Sequence, residues 1–552
     1  MSTEVETCAA GSRVSLRGVE RMVTASDGAS VKIAHSMLVH GDTAILLRFL
    51  PTAVMHTFNM HPRMRAHQLK DQQFTAEIQA PVTVDSVAKL LQVRVLTPAD
   101  YGDGSPTSWQ SYVERECSVG FDRYCQLPFY LSVWVAKPKD TARLMLFSDQ
   151  YMSDGFSGAV VLNCILEQVS KLAIKTASDN QRPSILTPKG YPLRPSLYRM
   201  WLNKITWAKP LLKGTNAIFG RRMFRGNVHK FTSLLPARDD LKDFAVPPVT
   251  NSTKALFADG DAKCMREAYA KCRKEGVTLN GVLVVVALLA FYRVRSNKEQ
   301  RGRFNPFRIA MDVDCNMRHQ VQYPAEENQV GMYTATTDLD WLNSEGVDML
   351  TTRFWDLAGR ASREIEGNLK NTVNMALPTI TADQKLNAQM DPSFLKKARV
   401  AHSITADVGV AELVQYPFEK NHSLTDSYDT ESRRGLLAYK KSRQVMMPSD
   451  SASDLTRSWR LESTHSTPHN VLSIESLHVF KALPHLAPSV TIFLSSVNAF
   501  SYSMAHKVKD DVGNNLFTAI VVLCESLGSI GGEENLTDVL ARFDELTLSG
   551  NI

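Results

Sequence analysis

Side chains able to do chemistry gather in one short stretch, LMLFSDQYMSDGFSGAVVLN, residues 144–163, which has the pattern of a strand entering a loop and then a helix. Asp149, Gln150 and Asp154 sit at the strand end and in the loop, Gly155 follows, and no histidine lies among them. Asp149 is ionisable, but an unperturbed aspartate has a pKa near about 3.9 and is a poor base unless burial raises it. The Gln150 carboxamide can donate and accept hydrogen bonds, yet it cannot take up a proton near neutral pH. Adjacent residues on a strand point to opposite faces, so Asp149 and Gln150 are not expected to face the same site. A base from elsewhere would need hydrogen-bond reach. His56, His61 and His67 lie on or just after an early helix, where such residues are most often surface or core fillers, and His402, His422, His465 and His469 lie near polar loops of the second half, from which the fold could bring one in. No metal-ligand spacing, P-loop or G-x-S-x-G elbow accompanies these residues.

The elements around the loop alternate between strand-like and helical patterns. A helix beginning near Asp42 is expected to bend or break at Pro51. Strand-like alternation follows in FTAEIQAPV and LLQVRVLT. LPFYLSVWVA (127–136) and ARLMLFSD (142–149), joined by KPKDT, read as a β-hairpin that delivers the loop. The second half repeats the alternation. Gly276 closes an amphipathic helix, Thr278 caps an apolar one, strands follow at 307–314 and 328–340, and WLNSEGVDMLTTRFWDLAGRASREIEG reads as one long helix. Strands in NVLSIESLHVF and SVTIFLSSVNAFSYSMAHK and a last apolar helix complete the chain. The division this suggests is a mobile tail 1–18, an N-terminal lobe 19–179, a crossover linker 180–250 and a C-terminal lobe 251–552, with 419–470 a flexible, Ser-rich excursion.

At 552 residues the chain is long enough for two sizeable cores, and its 44% apolar and 22% charged composition is that of a globular α/β protein. The longest apolar run, Val282–Tyr292, is shorter than the roughly 18 residues needed to span a bilayer, and the first residues carry no secretory pattern. Eight cysteines without a C-x-x-C pair argue against a zinc site or disulfide scaffold and lead us to expect a reducing, cytoplasmic setting. The net charge of +6 conceals an asymmetry. Between Asp179 and Asp239 there are twelve Lys or Arg and no acid, among them Arg221, Arg222 and Arg225, interleaved with aromatic residues. One reading is a solvated linker pinned across the body by its aromatics. The alternatives are a surface for an anionic intracellular membrane, for a carrier protein, or for a phosphate-bearing ligand. Nucleic acid is not expected, because no binding motif accompanies the charge.

Four stretches, taken in order, resemble the CoA-dependent acyltransferase superfamily, which includes peptide condensation domains, alcohol acetyltransferases and wax ester synthases. NMHPRMRAHQ resembles the end of the early helix of that group, and RLMLFSDQYMSDGFSG its H-H-x-x-x-D-G strand and loop. EGVTLNGVLVVVALLAFYR resembles the helix that opens the second lobe, and FRIAMDVDCNMRHQ with ENQVGMY the strand ending in a basic residue and its turn. The resemblance implies two chloramphenicol-acetyltransferase-like lobes, each a mixed sheet backed by helices, with a tunnel between them. It implies an acyl-CoA or carrier-bound acyl thioester as co-substrate, no resident cofactor or metal, and an alcohol or amine acceptor. In such proteins the second histidine of the motif takes the acceptor's proton, a contribution of about 10²–10⁴-fold. Gln150 stands at that position and Asp149 at the first histidine's. The motif aspartate pairs with an arginine from the second lobe, positions matched here by Asp154 and Arg318, and Gly155 is expected to permit a sharp turn. The plainer alternative for Asp154 and Arg318 is two unrelated surface charges. A C-terminal motif of the D-F-G-W-G kind has no clear match. The function implied is acyl transfer. The alternatives are a catalytically silent relative that binds an acyl ligand, or a membrane- or carrier-docking protein that uses segment 180–238.

Overall fold

A computed structural model of the chain describes residues 10–24, 31–72, 74–97, 108–178, 190–204, 233–238, 253–296, 302–321, 326, 328–370, 406–424, 471–483 and 488–548. The first half forms strands β1 (Arg13–Ser15), β2 (Lys32–His40), β3 (Ala66–Gln68), β4 (Thr75–Ile78), β5 (Leu91–Val95), β6 (Phe129–Ala136) and β7 (Thr141–Asp149). Its helices are α1 (Val19–Val23), α2 (Thr43–Met60), α3 (Val84–Val87), α4 (Trp109–Ser118) and α5 (Ser157–Ser178). After α6 (Leu197–Lys204) come β8 (Lys254–Asp259), α7 (Ala262–Glu275), α8 (Leu279–Arg295), β9 (Met311–Asn316), β10 (Thr334–Asp338), α9 (Asp340–Ser344) and α10 (Phe354–Lys370). The remaining strands are β11 (Val408–Val410), β12 (Val414–Gln415), β13 (Asn421–Ser423), β14 (Val471–Lys481), β15 (Val490–Ser496) and β16 (Phe500–His506), followed by α11 (Asp510–Glu525) and α12 (Leu536–Leu548).

The hairpin β6–β7 and the long antiparallel pairing of β7 with β2, from Lys32↔Asp149 to His40↔Thr141, form the centre of a six-stranded sheet in the order β13–β14–β2–β7–β6–β5. Leu144, Met145, Leu146 and Phe147 on β7 are all fully buried, on both faces of the strand. An alternating pattern is therefore absent there, as expected of a strand covered on both sides. The second sheet runs β10–β9–β11–β15–β16–β8, with β12 extending alongside β15. Its core is built around α8, which is buried on every side from Val282 to Tyr292. A helix that is apolar all round has nowhere to lie but in a core. Gly276 at φ +68° ends α7, and Thr278 accepts from the Gly281 N–H to start α8. A small sheet, β1–β4–β3, lies beside the first lobe. α5 is long and apolar enough to cross a bilayer by length and composition, but its residues from Ala159 to Val169 sit in the first lobe's core.

Several expectations change. β14, sequentially within the second half, pairs antiparallel with β2, and its Leu472, Ile474, Leu477, Val479 and Phe480 belong to the first lobe's core. A lobe division made along the chain at residue 250 therefore misplaces β13 and β14. Strand pairing is a long-range choice, and alternation shows only that a strand exists. α2 runs unbroken through Pro51, which is partly exposed, as is Leu47, whose carbonyl loses its intrahelical donor. The long helix expected after residue 341 is two, α9 and α10, separated by Gly346 at φ +80° and a bridge between Val347 and Phe307. Most of the Ser-rich 419–470 excursion lies outside the described residues, although Asn421–Ser423 is strand β13.

Candidate active site

The end of β7 separates its two neighbouring side chains as strand geometry requires. Asp149 is fully buried; its Oδ2 accepts from Arg123 Nε at 3.1 Å and its Oδ1 from the Tyr151 N–H at 3.3 Å. It is not part of the cavity wall described below, so the structure does not place it where a catalytic base would act. Gln150, whose N–H donates to Val31 O at 2.9 Å, is buried and does line the cavity. Its Oε1 has no hydrogen-bond partner among the described residues. An unpaired carboxamide oxygen in a buried wall is a polar group waiting for a ligand or water.

Four residues further on, Asp154 turns into the interface between the lobes. Arg318, just after β9, donates from Nη1 to Asp154 Oδ2 at 2.9 Å and from Nη2 to Oδ1 at 3.0 Å, a bidentate pair with both side chains about 1% exposed. Oδ2 also accepts from the Tyr333 N–H at 2.9 Å, while Oδ1 accepts from the Ser157 N–H at 2.8 Å and so caps the start of α5. Ser157 Oγ lies 2.9 Å from Gly331 O and accepts from the Gly331 N–H at 3.1 Å, a further tie across the lobes. Burial pushes the Asp154 carboxyl up, but the Arg318 charge and these hydrogen bonds outweigh it and hold the group below the usual carboxylate range. The reading of Asp154 and Arg318 as unrelated surface charges is therefore set aside.

Behind the loop, His35 on β2 contacts Gly155 O through Nε2 at 2.8 Å. Burial pushes its pKa down to about 4, so the ring is neutral and donates from Nε2 to the carbonyl. The turn at Gly155 does not draw on glycine's freedom to take left-handed backbone. Its φ lies outside the left-handed region, and an added Cβ would meet only Val479 at 3.8 Å. The position that needs glycine is Gly158, where a Cβ would lie 2.1 Å from His35 Nδ1. The close approach is between a helix and a strand side chain, which a reading of the turn alone does not reveal.

Between the lobes lies a cavity of about 500 Å³. Gln150, Gly155 and Phe156 form the loop side; Asp314, Asn316, Arg318 and His319 come from the end of β9 and beyond. Ile33, Val479, Phe493 and Leu494 supply apolar wall. Besides Asp154, two carboxylates face it. Asp314 accepts from Thr336 Oγ1 at 2.7 Å and pairs with Lys481 Nζ at 3.5 Å. Glu412, in the link from β11 to β12, accepts from the Asn316 N–H through Oε2. Its pKa is pushed up to about 7, chiefly by burial and further by Asp154 and Asp314, against the Asn316 hydrogen bond and the Arg318 charge. A group titrating near neutrality in a cavity is a candidate for proton transfer. The sequence reading missed Glu412. It stands alone in VGVAELVQY with no motif, and a single acid inside an apolar run was the only signal.

None of the histidines singled out from sequence reaches this cavity among the described residues. His61 stacks on Tyr191 at 4.8 Å, and His422 on β13 is buried, with its pKa lowered to about 4 by that burial. His56 and His67 do not line the cavity either, while His402, His465 and His469 lie outside the described residues. Among the described residues, the one histidine on the wall is the exposed His319. Arg221, Arg222 and Arg225 also lie outside the described residues, so the structure does not place the basic docking surface.

No protein-family model matches the sequence, and no curated protein is significantly similar to it. Solved structures do match in fold over nearly the full length. The trichothecene 15-O-acetyltransferase of Fusarium sporotrichioides superposes with a TM-score of 0.62 at 12% identity, covering 94% of this chain and 95% of that one. The first condensation domain of the calcium-dependent antibiotic synthetase, in complex with a substrate analogue, matches at 0.59 and 10% identity, over 96% of this chain and 99% of its own. The polyketide synthase associated protein 5 of Mycobacterium tuberculosis matches at 0.51 and 13% identity, over 95% and 99%. The chain has the mixed α/β, two-lobed fold of these acyltransferase and condensation-domain structures, as the four sequence stretches led us to expect.

Proposed function

We propose that the protein transfers an acyl group from a thioester, carried by coenzyme A or a carrier protein, to an alcohol or amine acceptor in the cavity between its lobes. The observation that carries this reading is the cavity itself: it is open, and the loop held by the Asp154–Arg318 pair presents to it the unpaired Gln150 carboxamide. The apolar wall of Ile33, Val479, Phe493 and Leu494 suits an acyl chain. On the polar side, Gln150 can orient the acceptor hydroxyl or donate from its NH₂ to the oxyanion that forms as the thioester carbonyl is attacked. The shared fold with an O-acetyltransferase and a condensation domain supports the same chemistry. The seven free cysteines among the described residues fit the reducing, cytoplasmic setting in which acyl thioesters persist.

The absence of any histidine from the loop favours a second reading, in which the cavity binds an acyl ligand without turnover. Following thiol release from acyl-CoA and acyl-pantetheine with a panel of alcohols and amines, for the wild type and Gln150→His, separates the two. Acceptor-dependent release by the wild type supports transfer. Release by the histidine variant alone identifies a binding protein descended from an enzyme, and release by neither overturns acyl transfer.

A further inference from the structure

We propose that Glu412, reaching the cavity from the second lobe, is the general base that takes the acceptor's proton in place of the missing loop imidazole; this rests on the acyl-transfer reading. Three features of its setting point there. First, the backbone is shaped to present it. β11 and β12 both run parallel to β15, but the step from Val410 to Val414 matches the shorter step from Ile492 to Ser495. The extra residue makes a bulge-like irregularity, a device that re-aims side chains beside functional sites. Its flanks are pinned: the Ala411 N–H donates to Ile492 O at 2.9 Å and the Leu413 N–H to Asn280 Oδ1 at 3.2 Å. Second, the carboxylate is half committed. Oε2 accepts from the Asn316 N–H, while Oε1 has no partner among the described residues. Third, it is wired to the loop. Asn316 Oδ1 accepts from Arg318 Nη1 at 3.1 Å, and the same guanidinium holds Asp154.

The step balances without a co-reactant. The acceptor oxygen or nitrogen bonds to the thioester carbonyl carbon while its proton passes to Glu412 Oε1. The resulting oxyanion takes a hydrogen bond from the Gln150 NH₂. Collapse breaks the C–S bond, and Glu412 returns the proton to the leaving sulfur, giving the free thiol and the ester or amide. The charged and titratable groups around Glu412 on the cavity wall are Asp154 and Arg318, Asp314 on β9, the exposed His319, Lys481 on β14, which pairs with Asp314, and Tyr416, whose hydroxyl donates to Asn163 and whose pKa burial pushes up. Burial of Glu412 and the two aspartates raise its pKa to about 7, where a base is well matched to neutral pH.

The test is steady-state thiol release by the full chain across pH 5 to 9 for the wild type, Glu412→Gln, Glu412→Asp and the double variant Glu412→Gln/Gln150→His. The expected result is a kcat that falls about 10²–10⁴-fold in Glu412→Gln with little change in KM for the thioester. The acidic limb of the wild-type profile should disappear in that variant, and Glu412→Asp should retain part of the rate. The double variant should recover turnover with a limb set by the new imidazole. A wild type active with thioesters and an equally active Glu412→Gln with an unchanged pH profile would overturn the proposal alone. No acceptor-dependent release by the wild type would overturn the acyl-transfer reading and this proposal with it.

Discussion

Replacing Asp154 with asparagine isolates what the buried pair contributes. Asparagine keeps one carbonyl oxygen and presents an NH₂ where the second carboxylate oxygen stood. In the native structure that oxygen accepts from both Arg318 Nη1 and the Tyr333 N–H, each at 2.9 Å. Two donors would then face a third, and a guanidinium only about 1% exposed would lose its counter-charge. Stranding one member of such a buried pair costs about 3–5 kcal/mol. Asp154→Asn/Arg318→Met removes the stranded charge as well, so it should cost less than the sum of its single variants by at least about 2 kcal/mol. The pair ties β9 to the loop after β7, so loss should appear first as opening between the lobes. Native-state hydrogen exchange at the Tyr333 and Ser157 amides reads that opening directly, alongside urea unfolding at pH 7. The sign of the pH effect follows from the depressed Asp154 pKa. The stabilisation is present above the unfolded value of about 3.9 and lost as pH falls through the lower folded value, so the gap between wild type and variant should hold from pH 8 to 5 and close only below about 4. A variant within about 1 kcal/mol of wild type at pH 7, or strictly additive single costs, would refute this account.

Gly158→Ala should destabilise the first lobe by about 1–3 kcal/mol in urea unfolding, because its Cβ would meet the His35 ring at 2.1 Å. Gly155→Ala, with only Val479 at 3.8 Å, should change stability little, and a larger loss there than at Gly158 would contradict the packing described. Glu412 is partly buried with a pKa raised to about 7, so its contribution to stability is full below the unfolded value near about 4.3 and is lost as pH rises through neutrality. Thermal unfolding should accordingly show Glu412→Gln gaining on wild type between pH 5 and 8. A constant difference across that range would place the Glu412 pKa elsewhere. Asp149→Asn should cost stability through Arg123 and leave the pH dependence of any thiol release unchanged, since Asp149 lies off the cavity wall.

Much of the site's scaffolding was legible because it is local or carried by short ordered stretches. The strand–loop–helix around Asp154, the hairpin before it and the capped apolar helix at Thr278 all follow from periodicity and capping within a few residues. Strand alternation alone turned Asp149 away from Gln150, and the structure puts Asp149 on Arg123 and Gln150 on the cavity. Long-range choices were not legible in the same way. β14 joins the first sheet from far along the chain, and Gly158 needs to be small only because His35 packs on it. Glu412 becomes a neutral-pH group only because the bulge beside β15 aims it into a cavity walled by both lobes. Periodicity reports what one segment prefers, whereas burial, charge pairing and pKa depend on which distant segments meet. The amino-acid order by itself determined a strand, loop and helix that resemble the H-H-x-x-x-D-G loop of acyltransferases, with the Gln150 carboxamide where that motif has its second histidine. Only the packing of one lobe against the other decided that a carboxylate from the opposite lobe faces the same cavity.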